Sequence, residues 1–225
     1  MNRLVHLFWL ALFLGSISMT SSAQEIGSSF RLPTPDLKGS LSLEQALHRR
    51  RSIRNFSPVR LTQAEISQLL WAAQGITNPE GLRTTPSAGA LMPLEIYLAV
   101  GNVAGLAAGL YHYHPQTHAL MLVQNGDMRS QLAAASLNQA PVREAPAVLI
   151  IAAVLERTQQ RYGGRAQRYV HMEAGHAAQN VYLQTTASGL ATVLIGAFDD
   201  ASVQAVLGLP SDHAPLGLMP IGRKP

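Results

Sequence analysis

Helix-like and strand-like segments follow one another irregularly along these 225 residues, and this order restricts the fold. Two capping-box patterns, beginning at Ser42 and Thr62, predict two helices before any strand. Period-two alternation then predicts strands, among them a hairpin across Pro115 and a fully apolar strand over 147–154. Because the strands and helices do not alternate as repeated strand–helix–strand units, the pattern predicts an α+β domain and not a doubly wound parallel sheet.

The remaining predicted elements complete a single domain, and a hydrophobic fraction of 47% is enough for one packed core. Residues 24–41 contain Pro33 and Pro35 and are predicted to form an extended lead-in that does not pack as an element. The domain itself is predicted to cover 42–225. We predict further strands over 94–100, 109–113, 119–123, 190–195 and 216–221, and further helices over 127–136, 166–188 and 199–207.

The first 23 residues have the pattern of a secretory signal peptide. Arg3 supplies a positive charge, residues 4–17 form an apolar run, and small residues end at Ala23, after which we expect cleavage. A membrane anchor needs roughly 18 or more apolar residues, and this run is shorter. We therefore predict export to a bacterial periplasm without a stable membrane anchor. The absence of cysteine from the sequence suits such an oxidising compartment.

The cations are too scattered to predict a nucleic-acid interface. The chain has 17 Lys and Arg against 13 Asp and Glu, and the one dense run is formed by Arg49, Arg50, Arg51 and Arg54. A DNA-binding face would combine clustered cations with base-reading or stacking residues, whereas this run, which includes Ser52, matches a single phosphate. Alternatively, these cations complement the negative end of the first helix. On spacing alone, we favour this alternative.

Four further segments combine small residues with a few polar ones. Residues 86–89, Pro-Ser-Ala-Gly, precede a predicted strand and would let the backbone approach a flat ring closely. Residues 173–180 place Ala and Gly in the long predicted helix, where they permit close helix contact. The last two segments are 195–200, which follows a predicted strand, and 222–224, at the end of the chain.

Taken in order, these five segments resemble the nitroreductase family of flavoproteins, and specifically its branch related to the SagB-type azoline dehydrogenases. The resemblance covers about residues 42–225. It implies an α+β nitroreductase-like fold with a mixed, mostly antiparallel sheet flanked by helices. It also implies an interlocked homodimer that binds FMN at its interface.

The resemblance further implies which residues contact FMN. The phosphate would be bound by Arg50, Arg51, Ser52 and Arg54, and its site would be closed by Arg223 and Lys224. The loop beside the isoalloxazine ring would be Pro86, Ser87, Ala88 and Gly89. The backbone facing the N5 edge of the flavin would be that of Ile195, Gly196 and Ala197. The flavin would supply the redox chemistry, and the protein would supply position and electrostatics.

Arg161 and Tyr162 are the candidate catalytic residues, and they mark a departure from the resemblance. Azoline-oxidising relatives carry a Lys-Tyr pair at this place. A lysine can be tuned by burial to act as the base that oxidation requires, whereas an arginine stays protonated. Arg161 could instead hold an anionic donor or acceptor, and Tyr162 could donate a proton to a reduced product. The alternative is that Arg161 is a surface cation far from the flavin.

Other functional motifs are incomplete or missing from the sequence. His112, His114 and His118 are close in sequence, but no Cys, Asp or Glu nearby in the sequence completes a metal-ligand set, so we interpret them as surface histidines and predict no metal site. No Gly-x-Gly-x-x-Gly follows a predicted strand, so NAD(P)H would be a transient donor and not a Rossmann-bound cofactor. No Gly-x-Ser-x-Gly nucleophile elbow is present.

Three functions remain open at this point. The first is an FMN-dependent oxidoreductase that moves electrons from a reduced donor, such as NAD(P)H, to a small electron-poor acceptor, such as a nitroaromatic or a quinone. The second is an azoline-type dehydrogenase, which runs in the oxidative direction. The third is an exported FMN-binding protein without turnover.

Overall fold

The computed structural model describes residues 25–225, and the predicted signal peptide lies outside the described residues. The strands are β1 (Ser29–Arg31), β2 (Leu94–Val100), β3 (Gly109–His114), β4 (Ala119–Asn125), β5 (Ala147–Val154), β6 (Leu190–Thr192) and β7 (His213–Arg223). The α-helices are α1 (Leu43–Arg49), α2 (Gln63–Gln74), α3 (Arg129–Ala135), α4 (Ala140–Glu144), α5 (Leu155–Tyr162), α6 (Ala166–Ala187) and α7 (Asp200–Leu207). Between residues 25 and 225, no helix is both long and apolar enough to cross a membrane.

The strands form one sheet in the order β1-β4-β3-β2-β5-β7-β6. Each neighbouring pair of named strands is antiparallel. The predicted α+β class is therefore confirmed, and the named strands pair more uniformly than the mixed sheet that we expected. Hairpin-type antiparallel pairing allows short connections, which explains why β3 and β4 follow each other so closely.

Helices cover both faces of this sheet. One face packs against α2 and α6 through residues that include Ile66, Leu69 and Val181. The other face packs against α3, α4 and α7 through residues that include Leu132, Val142 and Val203. Because both faces are covered, every residue of β5 is buried, which accounts for its continuously apolar sequence.

Both predicted capping boxes are present. At α1, Ser42 Oγ accepts from the backbone N–H of Gln45 at 3.2 Å, and Gln45 Oε1 accepts from the backbone N–H of Ser42 at 3.4 Å. At α2, Thr62 and Glu65 make the same reciprocal pair at 3.2 and 2.8 Å. Each box satisfies backbone donors that the first turn of a helix leaves free. The sequence therefore predicted both helix starts correctly.

The prediction that two helices precede any strand was wrong. β1 lies before α1 and pairs with β4, with Phe30 opposite Leu120. The open edge of β4 offers backbone donors and acceptors, and Gly27 extends the pairing by donating to the carbonyl of Leu122 at 2.8 Å. Part of the extended lead-in is therefore an edge strand of the sheet.

Three other elements differ from the predicted outline. The short helices α4 and α5, of five and eight residues, were not predicted. The strand predicted over 190–195 ends at Thr192 as β6. Beyond it, Ile195 still exchanges two backbone hydrogen bonds with Leu218, at 2.8 and 2.9 Å. The chain thus continues alongside β7 after β6 has ended.

Candidate active site

The arginine segment, residues 50–54, is attached to α6 through a tyrosine. Tyr182 Oη lies 3.0 Å from Ser52 Oγ, and the backbone N–H of Leu194 donates to the same Oη at 2.7 Å. The guanidinium carbon of Arg50 lies 5.0 Å from the centroid of the Tyr182 ring, which is within cation–π range. Tyr182 was not predicted as a site residue, because nothing in its sequence neighbourhood distinguishes it from a core tyrosine.

The cations of the arginine segment differ in what they contact. Arg51 Nη1 donates to the carbonyls of His48 and Arg50 at 3.0 and 2.7 Å, so Arg51 serves the C-terminal end of α1 as the helix-end interpretation predicts. Arg54 is exposed. Within residues 25–225, none of Arg50, Arg51 and Arg54 forms an ion pair with a carboxylate. Their positive charge is therefore available to an anion.

The C-terminal cations lie close to this segment through the backbone. The carbonyl of Arg223 accepts from the backbone N–H of Ser57 at 3.0 Å. The Arg223 side chain, however, pairs with Glu65 at the start of α2, with Nη2 2.9 Å from Oε1 and 3.1 Å from Oε2. Its buried Nε has no hydrogen-bond partner within the described residues. Lys224 is exposed beyond β7.

The small-residue loop, residues 86–89, is held by a buried carboxylate of α6. Glu173 is 4% exposed, and its Oε1 accepts from the backbone N–H of Ala88 at 2.8 Å. Burial raises the pKa of Glu173, although hydrogen bonds from Ala88 and Ser87 act against this rise. Ser87 Oγ also accepts from the backbone N–H of Met92 at 2.9 Å, which closes the turn after the loop. Pro86 is exposed at the start of the loop.

Arg161 and Tyr162 lie against this loop. Gly89 has a φ of +62°, and a Cβ built on it would lie 2.8 Å from Tyr162 Oη and 3.0 Å from Arg161 Nη1. Only glycine therefore fits this position without a shift of those side chains. The ring of Tyr169 supports Tyr162 edge-on, with centroids 4.9 Å apart. Both candidate catalytic side chains thus reach the loop that the resemblance places beside the flavin.

The glycine segment, residues 195–197, borders a groove along α6. A cavity of about 310 Å³ is lined by residues of this region that include His171, Gly175, Leu194, Gly196 and Phe198. A Cβ added to Gly175 or Gly196 would meet no atom within 4 Å, so both glycines face open space. We call this cavity the α6 groove. At Leu194 the groove adjoins Tyr182 and the arginine segment.

The small-residue loop and the α6 groove lie on opposite sides of α6. Glu173 contacts the loop, and Asn180, seven residues later on the same side, donates to Thr84 O and Thr85 Oγ1 at 3.2 Å each. Gly175 lines the groove instead. Successive helix residues are rotated by about 100°, so Glu173 and Gly175 point in nearly opposite directions. One chain therefore brings together the arginine and glycine segments, but it does not bring the small-residue loop to them.

The prediction that the histidines lie at the surface was wrong. His112 Nε2 lies 2.7 Å from Glu95 Oε2, and these side chains are only 16% and 15% exposed. The rings of His112 and His114 share one face of β3, with centroids 4.6 Å apart. Arg157 Nη2 lies 2.5 Å from the other Glu95 oxygen. Spacing along the sequence missed Glu95 because the pairing of β2 with β3 brings it to the histidines.

Comparisons with known proteins identify the family of this chain. The model of the nitroreductase family matches residues 47–223. A protein of Methanocaldococcus jannaschii that is named as a nitroreductase is 45% identical over 199 residues, which cover 88% of this chain and 99% of the relative. The chain therefore belongs to the nitroreductase family, a family of oxidoreductases.

Solved structures show the same fold. A crystal structure of an Anabaena variabilis protein named as a nitroreductase has a TM-score of 0.73 and 34% identity over 81% of this chain, which spans only 38% of that longer protein. A chain of the Escherichia coli microcin synthetase McbBCD complex, with truncated pro-MccB17 bound, has a TM-score of 0.67 and 25% identity. That match covers 97% of this chain and 85% of the synthetase chain.

Proposed function

We propose that this protein is an FMN-dependent oxidoreductase that works as a homodimer and passes electrons from a reduced donor to a small electron-poor acceptor. The observation that carries the proposal is that the cations of the arginine segment, which form no ion pair within residues 25–225, lie next to the open, glycine-lined α6 groove. Arg50 and Ser52 lie at one end, where Tyr182 connects them to the chain just before the glycine segment. This arrangement suits an elongated ligand with an anionic end and a flat end.

The described residues fit FMN in two respects. The arginine segment offers guanidinium donors and the Ser52 hydroxyl to a phosphate. Gly196 and Gly175 leave room for a ring to approach the backbone, because neither position is filled by a neighbouring side chain. When bound, FMN would accept and release electrons and a proton at its ring. Near it, Tyr162 would hold a proton at Oη, and Arg161 would attract an anionic donor or acceptor.

The two sides of α6 favour a homodimer. Because the small-residue loop lies across α6 from the groove of its own chain, we propose that it completes the groove of the partner chain. The outward side of α6 could form this contact, since Met172 is 53% exposed and Gly175 and His176 are exposed beside it. An exposed apolar side chain next to glycine suits close packing of two helices. In such a dimer, each FMN would contact both chains.

The first prediction is that the purified mature protein is yellow and contains one FMN per chain and two chains per particle. A flavin spectrum after denaturation gives the FMN content, and sedimentation equilibrium gives the number of chains. A colourless monomer that takes up no added FMN would contradict the proposal.

One observation supports a second function, that of an azoline-type dehydrogenase. Arg161 and Tyr162 lie against the small-residue loop, at the place where the azoline-type branch carries Lys-Tyr, and a chain of the McbBCD complex shares the fold. An azoline-type dehydrogenase needs a base for a ring proton, and Arg161 cannot serve because an arginine side chain stays protonated in proteins. We therefore place reduction of small acceptors first.

The second prediction follows from this difference. The FMN-loaded protein is expected to reduce quinones or nitroaromatics with NADPH or dithionite, and to form no azole from an azoline-containing peptide. Absorbance follows the first reaction, and peptide mass, which falls by two hydrogens on oxidation, follows the second. Strong azole formation that is lost in Tyr162→Phe would reverse the order of the two functions. Bound flavin that NADPH and dithionite both reduce, but that no acceptor reoxidises, would instead favour an FMN-binding protein without turnover.

We also propose that the protein is exported, with residues 1–23 removed. The third prediction is that the intact mass of the protein from the periplasmic fraction corresponds to a chain beginning at Gln24 or its cyclised form, because the small residues Ser21 and Ala23 suit a signal peptidase. Full-length chain in the membrane fraction would support an anchor instead.

A further inference from the structure

A second polar cavity, of about 240 Å³, lies where β2 begins and β3 ends. Its lining includes the side chains of Arg83, Glu95, His112, His114 and Arg157. None of these residues belongs to the arginine segment, the small-residue loop, the glycine segment or the Arg161–Tyr162 pair. The cavity is therefore lined by other residues than the proposed flavin site, although Arg157 donates to the carbonyl of Met92 at 3.0 Å, next to the small-residue loop.

Two guanidinium groups in this cavity face a single carboxylate. Glu95 uses one oxygen for Arg157, at 2.5 Å, and the other for His112, at 2.7 Å. Arg83 donates from Nη1 to Gln74 Oε1 at 2.7 Å, and within residues 25–225 it forms no ion pair with a carboxylate. Burial, which removes water from the charged group, lowers the pKa of Arg83. The cavity thus retains one formal positive charge that no protein group compensates.

An imidazole in the same cavity also lacks a partner. His114 Nε2 is buried and has no hydrogen-bond partner within the described residues. Burial lowers the pKa of His114, so the ring is neutral near pH 7. In the tautomer with hydrogen on Nε2, this atom is a donor. Buried polar atoms are normally hydrogen-bonded, and in this tautomer the missing partner of Nε2 is an acceptor.

We propose that this cavity is a binding site for a small monocarboxylate, with the carboxylate group held by Arg83 and His114. A planar carboxylate matches the fork of a guanidinium group, and one negative charge would balance the unpaired positive charge. The Glu95 carboxylate would repel a doubly charged phosphate more strongly than it would repel a singly charged carboxylate. The volume is smaller than the roughly 300–1,000 Å³ of pockets for drug-sized ligands, so the acid contains only a few carbon atoms.

The test is calorimetric titration of acetate into the purified mature protein in saturating FMN, which keeps the flavin phosphate site filled. We expect saturable binding of one acetate per chain and a dissociation constant at least about tenfold higher in Arg83→Gln, because a charge-assisted hydrogen bond is lost. Arg60→Gln removes an exposed cation outside the cavity and is expected to leave acetate binding unchanged. His114→Phe, which removes the Nε2 donor, provides a second variant should Arg83→Gln not fold.

Several results would overturn this proposal. They are the absence of saturable acetate binding, equal affinity in wild type, Arg83→Gln and His114→Phe, and tighter binding of inorganic phosphate than of acetate. Loss of acetate binding in Arg54→Ala with retention in Arg83→Gln would place the acetate in the flavin phosphate site, and would likewise overturn it.

Discussion

Replacing Glu95 by glutamine is expected to lower the free energy of unfolding by about 3 kcal/mol at neutral pH. Burial of Glu95 by itself raises its pKa, but hydrogen bonds from His112 and Arg157 outweigh burial and lower the pKa to about 2 from an ordinary value of 4.5. Each pKa unit corresponds to about 1.4 kcal/mol. For a chain of this size, the change corresponds to a fall in Tm of roughly 6–12 °C.

The direction of the pKa shift of Glu95 determines how the effect of Glu95→Gln on stability depends on pH. Because the pKa of Glu95 is lower in the folded than in the unfolded protein, its contribution is complete above pH 4.5 and is lost as the pH falls towards 2. The difference between wild type and Glu95→Gln should therefore be largest at neutral pH and disappear near pH 2. Burial also lowers the pKa values of His114 and His213, so both proteins lose further stability below about pH 6.5.

Denaturant unfolding from pH 7 to pH 2 measures this difference. Glu144→Gln is the matched control, because Glu144 pairs with Arg143 at 3.6 Å while both side chains are about half exposed. An exposed pair contributes only about 0–1 kcal/mol. Equal effects of the two substitutions, or a difference that does not change with pH, would show that the Glu95 network does not stabilise the fold.

Arg54→Ala is expected to weaken FMN binding by about ten- to a hundredfold. A hydrogen bond to a charged group contributes roughly 1.5–3 kcal/mol, and each 1.4 kcal/mol is about a factor of ten in affinity. Arg51 already donates to the carbonyls at the end of α1, whereas Arg54 is exposed and forms no ion pair with a carboxylate in residues 25–225. Arg54 is thus the better probe of a phosphate site.

Fluorescence titration of FMN into the apo variant gives the dissociation constant. Arg60→Ala is the matched control, since it removes an exposed cation that lies outside the arginine segment. The helix-end interpretation predicts unchanged FMN affinity and a small loss of stability for Arg54→Ala. That outcome, or an equal effect of both substitutions, would remove the arginine segment from the proposed flavin site.

Local chemistry made parts of the fold predictable. Ser42 and Thr62 start their helices through reciprocal hydrogen bonds within four residues, so the sequence contains the whole motif. The strands 94–100 and 147–154 were predicted from their alternating or continuous apolar patterns, and the sheet buries them accordingly. In contrast, β1 exists because β4 offers an edge, and the short sequence of β1 shows no strand pattern of its own.

The candidate site was less predictable, because its contacts, like the pairing of β1 with β4, join segments that are distant in sequence. The resemblance supplied the arginine segment and the small-residue loop, but not the residues that hold them. Tyr182 and Glu173 act on segments about 130 and 85 positions away in sequence. Glu95 meets His112 only through the register of β2 and β3. Contacts between distant segments depend on tertiary packing, which spacing in a single sequence does not encode.

The two functional sides of α6 have a genetic consequence if the dimer forms as proposed. A chain damaged on the Glu173 side and a chain damaged on the Tyr182 side would each form homodimers with two defective sites. A mixed dimer would gather both lesions into one site and leave the other entirely wild type. With random pairing about half of the dimers would be mixed, so two inactive alleles expressed together could restore about a quarter of the normal activity, and alleles damaged on the same side could not.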